Sequence, residues 1–108
     1  MSKVFIDPGH GGSDNGAVAY GIVEKNINLF VAKHLRELLI TSNINVEMSR
    51  DRDINVSLMA RSNMANECDA DMLISIHHNA GGGDGWEIIH SMMSNKKDKS
   101  KQLAELIG

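Results

Sequence analysis

Met72-Leu73-Ile74-Ser75-Ile76 is a nearly continuous apolar run, and His77 follows it directly. A run this short and this apolar reads as a strand covered on both faces, the central strand of a parallel sheet. Upstream, Val4-Phe5-Ile6 is a second buried run, stopped by Asp7-Pro8-Gly9. Residues 8–23 then form a long loop rich in glycine and small turn formers, a length that usually marks function in a compact domain. Helical spacing of Ile27, Val31, Leu35 and Leu38, flanked by Phe30 and Leu39, predicts a helix over 24–41. Alternation over 44–48 predicts another strand. Asn55 or Ser57 then caps a helix running to about Cys68, with Leu58, Met64, Ala65 and Cys68 on its apolar side. Beyond the central run come a glycine-rich turn at 80–84, a strand at 86–89 and a helix at 97–107 with Leu103, Leu106 and Ile107 inward.

The resulting order, β-α-β-α-β-β-α, predicts an α/β fold: a mostly parallel sheet with helices on both faces and right-handed crossovers. Ligands of such sheets bind beyond the carboxyl ends of the strands. His10 follows the first strand, His77 closes the third, and Glu24 opens the first helix, so all three fall on one rim. Two imidazoles and a carboxylate, with a fourth position for water, form the ligand set of a hydrolytic zinc site.

Composition narrows the alternatives. A chain of 108 residues with 42% hydrophobic and 23% charged residues supports one modest domain. Aromatics are only 4%, so Ile, Leu, Val, Met and Ala must build the core, with the seven Met filling irregular gaps. A net charge of −3 argues against nucleic acid as a partner. The lysines at 96, 97, 99 and 101, broken by Asp98, read as a solvated helix face. No segment is apolar enough for membrane insertion, and no signal peptide is read at the start. The single Cys68 excludes an internal disulfide and reads as a small buried residue.

Other polar residues receive plainer readings. His34 is a histidine far from the rim. The strand pleat turns His78 away from its neighbour, toward solvent or substrate. His90 closes the last strand within reach of substrate at most. Asp14 organises its loop by accepting backbone hydrogen bonds. Arg50 and Arg61 fix loops by ion pairs. Gly11-Gly12 lies in neither a phosphate-binding nor a dinucleotide pattern.

These residues together resemble a known family. Val4-Phe5-Ile6-Asp7-Pro8-Gly9-His10-Gly11-Gly12, then Asp14, Gly16-Ala17 and Glu24, resemble the opening of the zinc-dependent N-acetylmuramoyl-L-alanine amidases of the amidase_3 type. Ser49-Arg50-Asp51 with Asp53 is similar to the segment after that family's second strand. Leu58, Arg61, Ala65-Asn66, Ala70-Asp71 and Ile74-Ser75-Ile76-His77-His78-Asn79-Ala80 match its central block, and Gly85-Trp86-Glu87 its next strand. The resemblance implies the phosphorylase/hydrolase-like amidase fold, Zn²⁺ held by His10, Glu24 and His77, and hydrolysis of the amide between N-acetylmuramic acid and L-alanine in peptidoglycan. Asn79 is a candidate contact for the muropeptide. A ligand histidine needs a partner on its second nitrogen, and Asp7, Asn79 or a backbone carbonyl could serve.

One departure shapes the expectation. The family's general base is a glutamate whose equivalent would lie beyond Gly108, so residues 1–108 read as one catalytic domain lacking its C-terminal portion. Glu87 is the only candidate substitute, on a strand whose direction the sequence leaves open, and its plainer reading is structural. Proton transfer by a placed carboxylate contributes about 10²–10⁴-fold, so its loss would be severe. The alternative is a non-catalytic zinc-binding fragment that binds muropeptide. A missing strand would also expose a sheet edge and favour self-association. Action at a bacterial cell wall follows, either as a phage endolysin made in the cytoplasm or as a domain of an exported enzyme.

Overall fold

The computed structural model describes residues 2–80 and 86–93, with the backbone alone at Glu87 and at 91–93. The turn read at 80–84, apart from Ala80, and the helix read at 97–107 lie outside the described residues. β1 (Lys3–Pro8) runs parallel to β4 (Asn45–Met48) on one side and to β5 (Met72–Asn79) on the other. β6 (Glu87–Met93) pairs antiparallel with β5, giving the order β4-β1-β5-β6. The sheet is therefore mostly parallel, as the apolar runs predict. Both main strands exceed their readings, because pairing continues through Asp7-Pro8 and through His77-His78-Asn79. The last strand likewise runs past the predicted stop at Ile89.

Strand alternation sorts the core into two layers. Val4, Ile6, Ile74 and Ile76 face α1 (Glu24–Thr41) and pack around Ala32, with Val31, Leu35 and Leu39 at the margin. Phe5 and Leu73 face the other way, onto Ala65 and Ala70 beside α2 (Leu58–Cys68). Each large aliphatic or aromatic side chain so enclosed contributes about 1.5–3 kcal/mol. The two helices cover opposite faces because the crossover through α1 runs from β1 out to the edge strand β4, the one through α2 runs back past β1 to β5, and right-handed crossovers in opposite directions fall on opposite faces.

The helix faces differ from the periodicity reading. On α1 the fully covered positions are Glu24, Asn28 and Ala32, four residues apart, so the innermost line is partly polar. Phe30 and Leu38, read as flanking or belonging to the inner face, are 71% and 59% exposed. They line an apolar groove with Val31, Leu35, Ile76, Ile88 and His90 above the β5–β6 side. On α2, Leu58 is exposed, and Arg61 takes the inner position one turn before Ala65. Ser57, one of the two candidate caps, closes α2 by accepting from the Ala60 amide at 3.0 Å.

The long loop after β1 is more ordered than its composition suggests. It contains a small antiparallel hairpin, β2 (Val18–Ala19) with β3 (Ile22–Val23), and a bridge between Gly11 and Asp14. This loop caps α1 with its own backbone: the Glu24 and Lys25 amides donate to the Ala17 and Asn15 carbonyls. Val23 at the cap position has no side chain able to do so.

Candidate metal centre

β1 leads toward β4 through α1, and β5 leads to β6 on the other side. The crevice between the carboxyl ends of β1 and β5 is therefore the switch point of the sheet. Pro8 pairs with Ile76, so His10 and His77 emerge at one level on either side of that crevice. Their rings meet edge to face, with centroids 5.2 Å apart. Glu24, the first residue of α1, closes the third side. One ligand atom each from His10, Glu24 and His77 lies within 4.8 Å of the others. Glu24 Oε1 stands 3.3 Å from His10 Nε2, and Oε2 stands 3.3 Å from His77 Nδ1.

The surroundings leave this cluster little freedom. A Cβ on Gly9 would stand 2.3 Å from the His77 ring, and one on Gly16 would stand 2.6 Å from Glu24 Oε1 and from His10 Cδ2. His10 itself adopts φ 63°, a left-handed conformation that costs an ordinary residue roughly 1–2 kcal/mol. Two buried arginines hold that backbone. The Arg61 guanidinium donates to the carbonyls of Val56, Pro8 and His10 and to Asp7 Oδ1 at 2.7 Å. Arg50 donates to the carbonyls of Pro8, Gly9, Lys25 and Arg52. The two side chains thus fix loops, as read, but Arg50 does so through carbonyls rather than ion pairs. Burial holds the Arg50 guanidinium below its usual pKa, with the Arg61 charge adding to the effect.

Electrostatics supply Glu24 as an anion. Burial pushes its pKa up, but the Ala17 amide, the His78 amide and the Asn28 side chain all donate to the carboxylate. Together with the nearby His10 they bring it below the ordinary value. The second nitrogen of His10 finds Asp14, with Nδ1 2.9 Å from Oδ2, and that hydrogen bond lowers the Asp14 pKa. Asp14 also accepts from the Gly16 amide, the loop role read for it. Asp7, one of the partners read for a ligand histidine, instead binds Arg61, Ser49 and Ser75 beneath the site. A buried carboxylate between two half-buried imidazoles, one of them braced by a second carboxylate, is a donor set that fits zinc.

One histidine of the strands lies elsewhere than expected. His78 does face away from His77, but it is buried against α1 rather than turned to solvent, with Nδ1 2.7 Å from Asn28 Oδ1. Burial lowers its pKa. His90 is exposed in the apolar groove beside Phe30 and His34, on the α1 face and away from the rim ligands, because its partner Ile76 faces that helix. Asn79 ends β5, exposed, two residues past His77. Glu87 pairs through its backbone with Asn79, and its side chain lies outside the described set. Asn28 was not singled out in the sequence, although its position four residues after Glu24 was a usable signal.

Gly16→Ala is expected to weaken zinc binding at least about tenfold, because the methyl group displaces two of the three candidate ligands, Glu24 and His10. Gly21→Ala is the control: φ is +72° there, but nothing lies within 4 Å. A chelator-competition titration that finds the two variants equal would show that backbone strain, not crowding, is responsible.

Comparison with known proteins identifies the family. The Amidase_3 family, described as N-acetylmuramoyl-L-alanine amidase, matches residues 4–108. The chain is 53% identical over 89 residues to the N-acetylmuramoyl-L-alanine amidase CwlM of Bacillus licheniformis, covering 81% of this chain and 35% of that protein. It is 36% identical over 110 residues to the endolysin of Bacillus phage SPP1, covering 99% of this chain and 41% of the endolysin. Among solved structures, the catalytic domain of CwlV, an N-acetylmuramoyl-L-alanine amidase from Bacillus (Paenibacillus) polymyxa var. colistinus, superposes with a TM-score of 0.72 at 34% identity. That match covers 77% of this chain and 48% of the domain. The chain thus spans about two fifths or less of the length of these two curated relatives. With the family model matched over 4–108 and the fold shared with a solved amidase domain, the chain belongs to the Amidase_3 family of N-acetylmuramoyl-L-alanine amidases.

Proposed function

We propose that His10, Glu24 and His77 bind one zinc ion and that the chain carries the metal-binding half of an enzyme cleaving the N-acetylmuramic acid to L-alanine amide of peptidoglycan. The observation that carries this reading is the convergence of three ligand atoms within 4.8 Å at the switch point of the sheet. Bound zinc supplies Lewis acidity and lowers the pKa of its water to about 7.

The protein groups have separate tasks. Glu24 enters ionised and offsets part of the metal charge, while Asp14 holds the His10 ring so that Nε2 faces the site. The substrate amide would lie in the adjoining cavity of about 330 Å³, between the two ligand histidines and the Asn55 to Leu58 segment. Asn79 would contact the muropeptide from the end of β5. Among the described side chains at the centre, Glu24 and Asp14 are both committed to the metal ligands, so neither is assigned proton transfer. That role falls to the glutamate which the resemblance places later in the family's chain. Among the described residues no helix is long and apolar enough to cross a membrane. A substrate in the cell wall agrees with the amidase and endolysin names of the relatives.

Two measurements on the purified chain test the proposal. Native mass spectrometry should find one zinc per chain, and incubation with purified peptidoglycan should release L-alanine amino termini. Zinc without amide cleavage would overturn the enzymatic reading for this chain and leave the metal site standing. Absence of zinc would overturn both.

A further inference from the structure

Asn28 is fully buried on α1, one helical turn after Glu24. Its amide nitrogen donates to the Gly9 carbonyl at 2.9 Å and to Glu24 Oε2 at 3.1 Å. Its amide oxygen lies 2.7 Å from His78 Nδ1. These contacts set the orientation of the amide, because turning it over would aim its oxygen at a carbonyl and a carboxylate. An amide oxygen only accepts, so His78 must carry its proton on Nδ1.

The same network divides the two oxygens of Glu24. Oε2 accepts from Asn28 and from the His78 backbone amide at 3.1 Å. Among the described residues Oε1 accepts one hydrogen bond, from the Ala17 amide at 2.9 Å. Each oxygen stands 3.3 Å from a ligand histidine, Oε1 from His10 Nε2 and Oε2 from His77 Nδ1, so occupancy decides between them: with two lone-pair sites on each, Oε2 is filled and Oε1 keeps one.

The geometry points to Asn28 as a positioning residue of the metal centre, holding the Glu24 carboxylate so that Oε1 is its metal-binding oxygen, with His78 protonated on Nδ1 as the anchor that keeps Asn28 oriented. This inference rests on the zinc reading above and goes beyond it, since neither residue is a ligand. A histidine next to a ligand thereby acts on the opposite face of the strand, through the helix that carries another ligand.

The test uses the full 108-residue chain, labelled with ¹⁵N. Long-range proton–nitrogen spectra of the metal-free protein should show His78 protonated on Nδ1. Asn28→Leu keeps the volume and removes the amide, and zinc affinity, read by chelator competition, should fall at least about tenfold. A merely structural Asn28 would lower the melting temperature of the metal-free protein and leave zinc affinity unchanged, which would overturn the inference. Should Asn28→Leu fail to fold, His78→Phe serves instead: it keeps the backbone amide to Glu24, removes the anchor, and should weaken zinc by a smaller factor. Unchanged affinity there, or His78 protonated on Nε2 in the wild type, also overturns the inference. A wild-type chain that binds no zinc would instead overturn the zinc reading itself.

Discussion

Cutting His77 back to Ala is expected to abolish stoichiometric zinc while leaving the protein folded. The ring is one of three converging ligands, and its loss leaves only His10 and Glu24 on the metal. Two protein ligands are fewer than the three of an ordinary catalytic zinc site. The fold should tolerate the change, because the His77 side chain is 30% exposed and β5 is held there by its backbone pairs to β6. Mass spectrometry under native conditions, with far-ultraviolet circular dichroism as the control for folding, checks both halves. His34→Ala and His90→Ala should keep full zinc, since both side chains lie on the apolar groove rather than the crevice. A His77→Ala chain that retained one zinc per molecule would disprove the ligand set.

The largest effect on stability is expected beneath the site, at the Asp7–Arg61 pair. The two groups meet at 2.7 Å with side-chain exposures of 1% and 3%. Removing one partner from such a pair leaves a buried charge uncompensated and costs about 3–5 kcal/mol. For a domain of this size that is a fall in Tm of at least about 12 °C. Arg61→Leu should exceed Asp7→Leu, because Arg61 also satisfies the carbonyls of Val56, Pro8 and His10. The double variant should be less destabilised than the sum of the two, since no lone charge remains. Thermal unfolding of the four proteins measures the coupling directly. Additive losses, or a loss below about 1 kcal/mol in Asp7→Leu, would contradict the assignment. Loss of Arg61 should also weaken zinc, because it removes the hydrogen bond to the His10 carbonyl that supports the left-handed conformation there.

Local pattern carried much of the fold. Apolar runs marked β1 and β5, because strands buried on both faces have no polar side to alternate with. The helix from Glu24 to about Thr41 was legible, and the structure runs it over Glu24–Thr41. Spacing was less informative about which helix face is innermost. The line Glu24, Asn28, Ala32 carries little apolar signal, and the more hydrophobic line through Phe30 and Leu38 stayed in the groove. Hydrophobic periodicity averages over a face, whereas burial near a polar centre depends on which side chains find partners there.

The sequence by itself determined the α/β class, the family, and the three residues placed on one rim. Those follow from short-range pattern and from the rule that such sheets bind ligands at strand ends. Only the tertiary structure decided the supporting chemistry: Asp14 rather than Asp7 on His10, two arginines on the carbonyls of residues 8–10, and Asn28 linking Glu24 to His78. The reason is physical. A hydrogen bond needs two groups within about 3 Å at the right angle. For side chains fifty residues apart, that condition is set by strand register, helix placement and loop path together, and none of these is encoded at either residue alone.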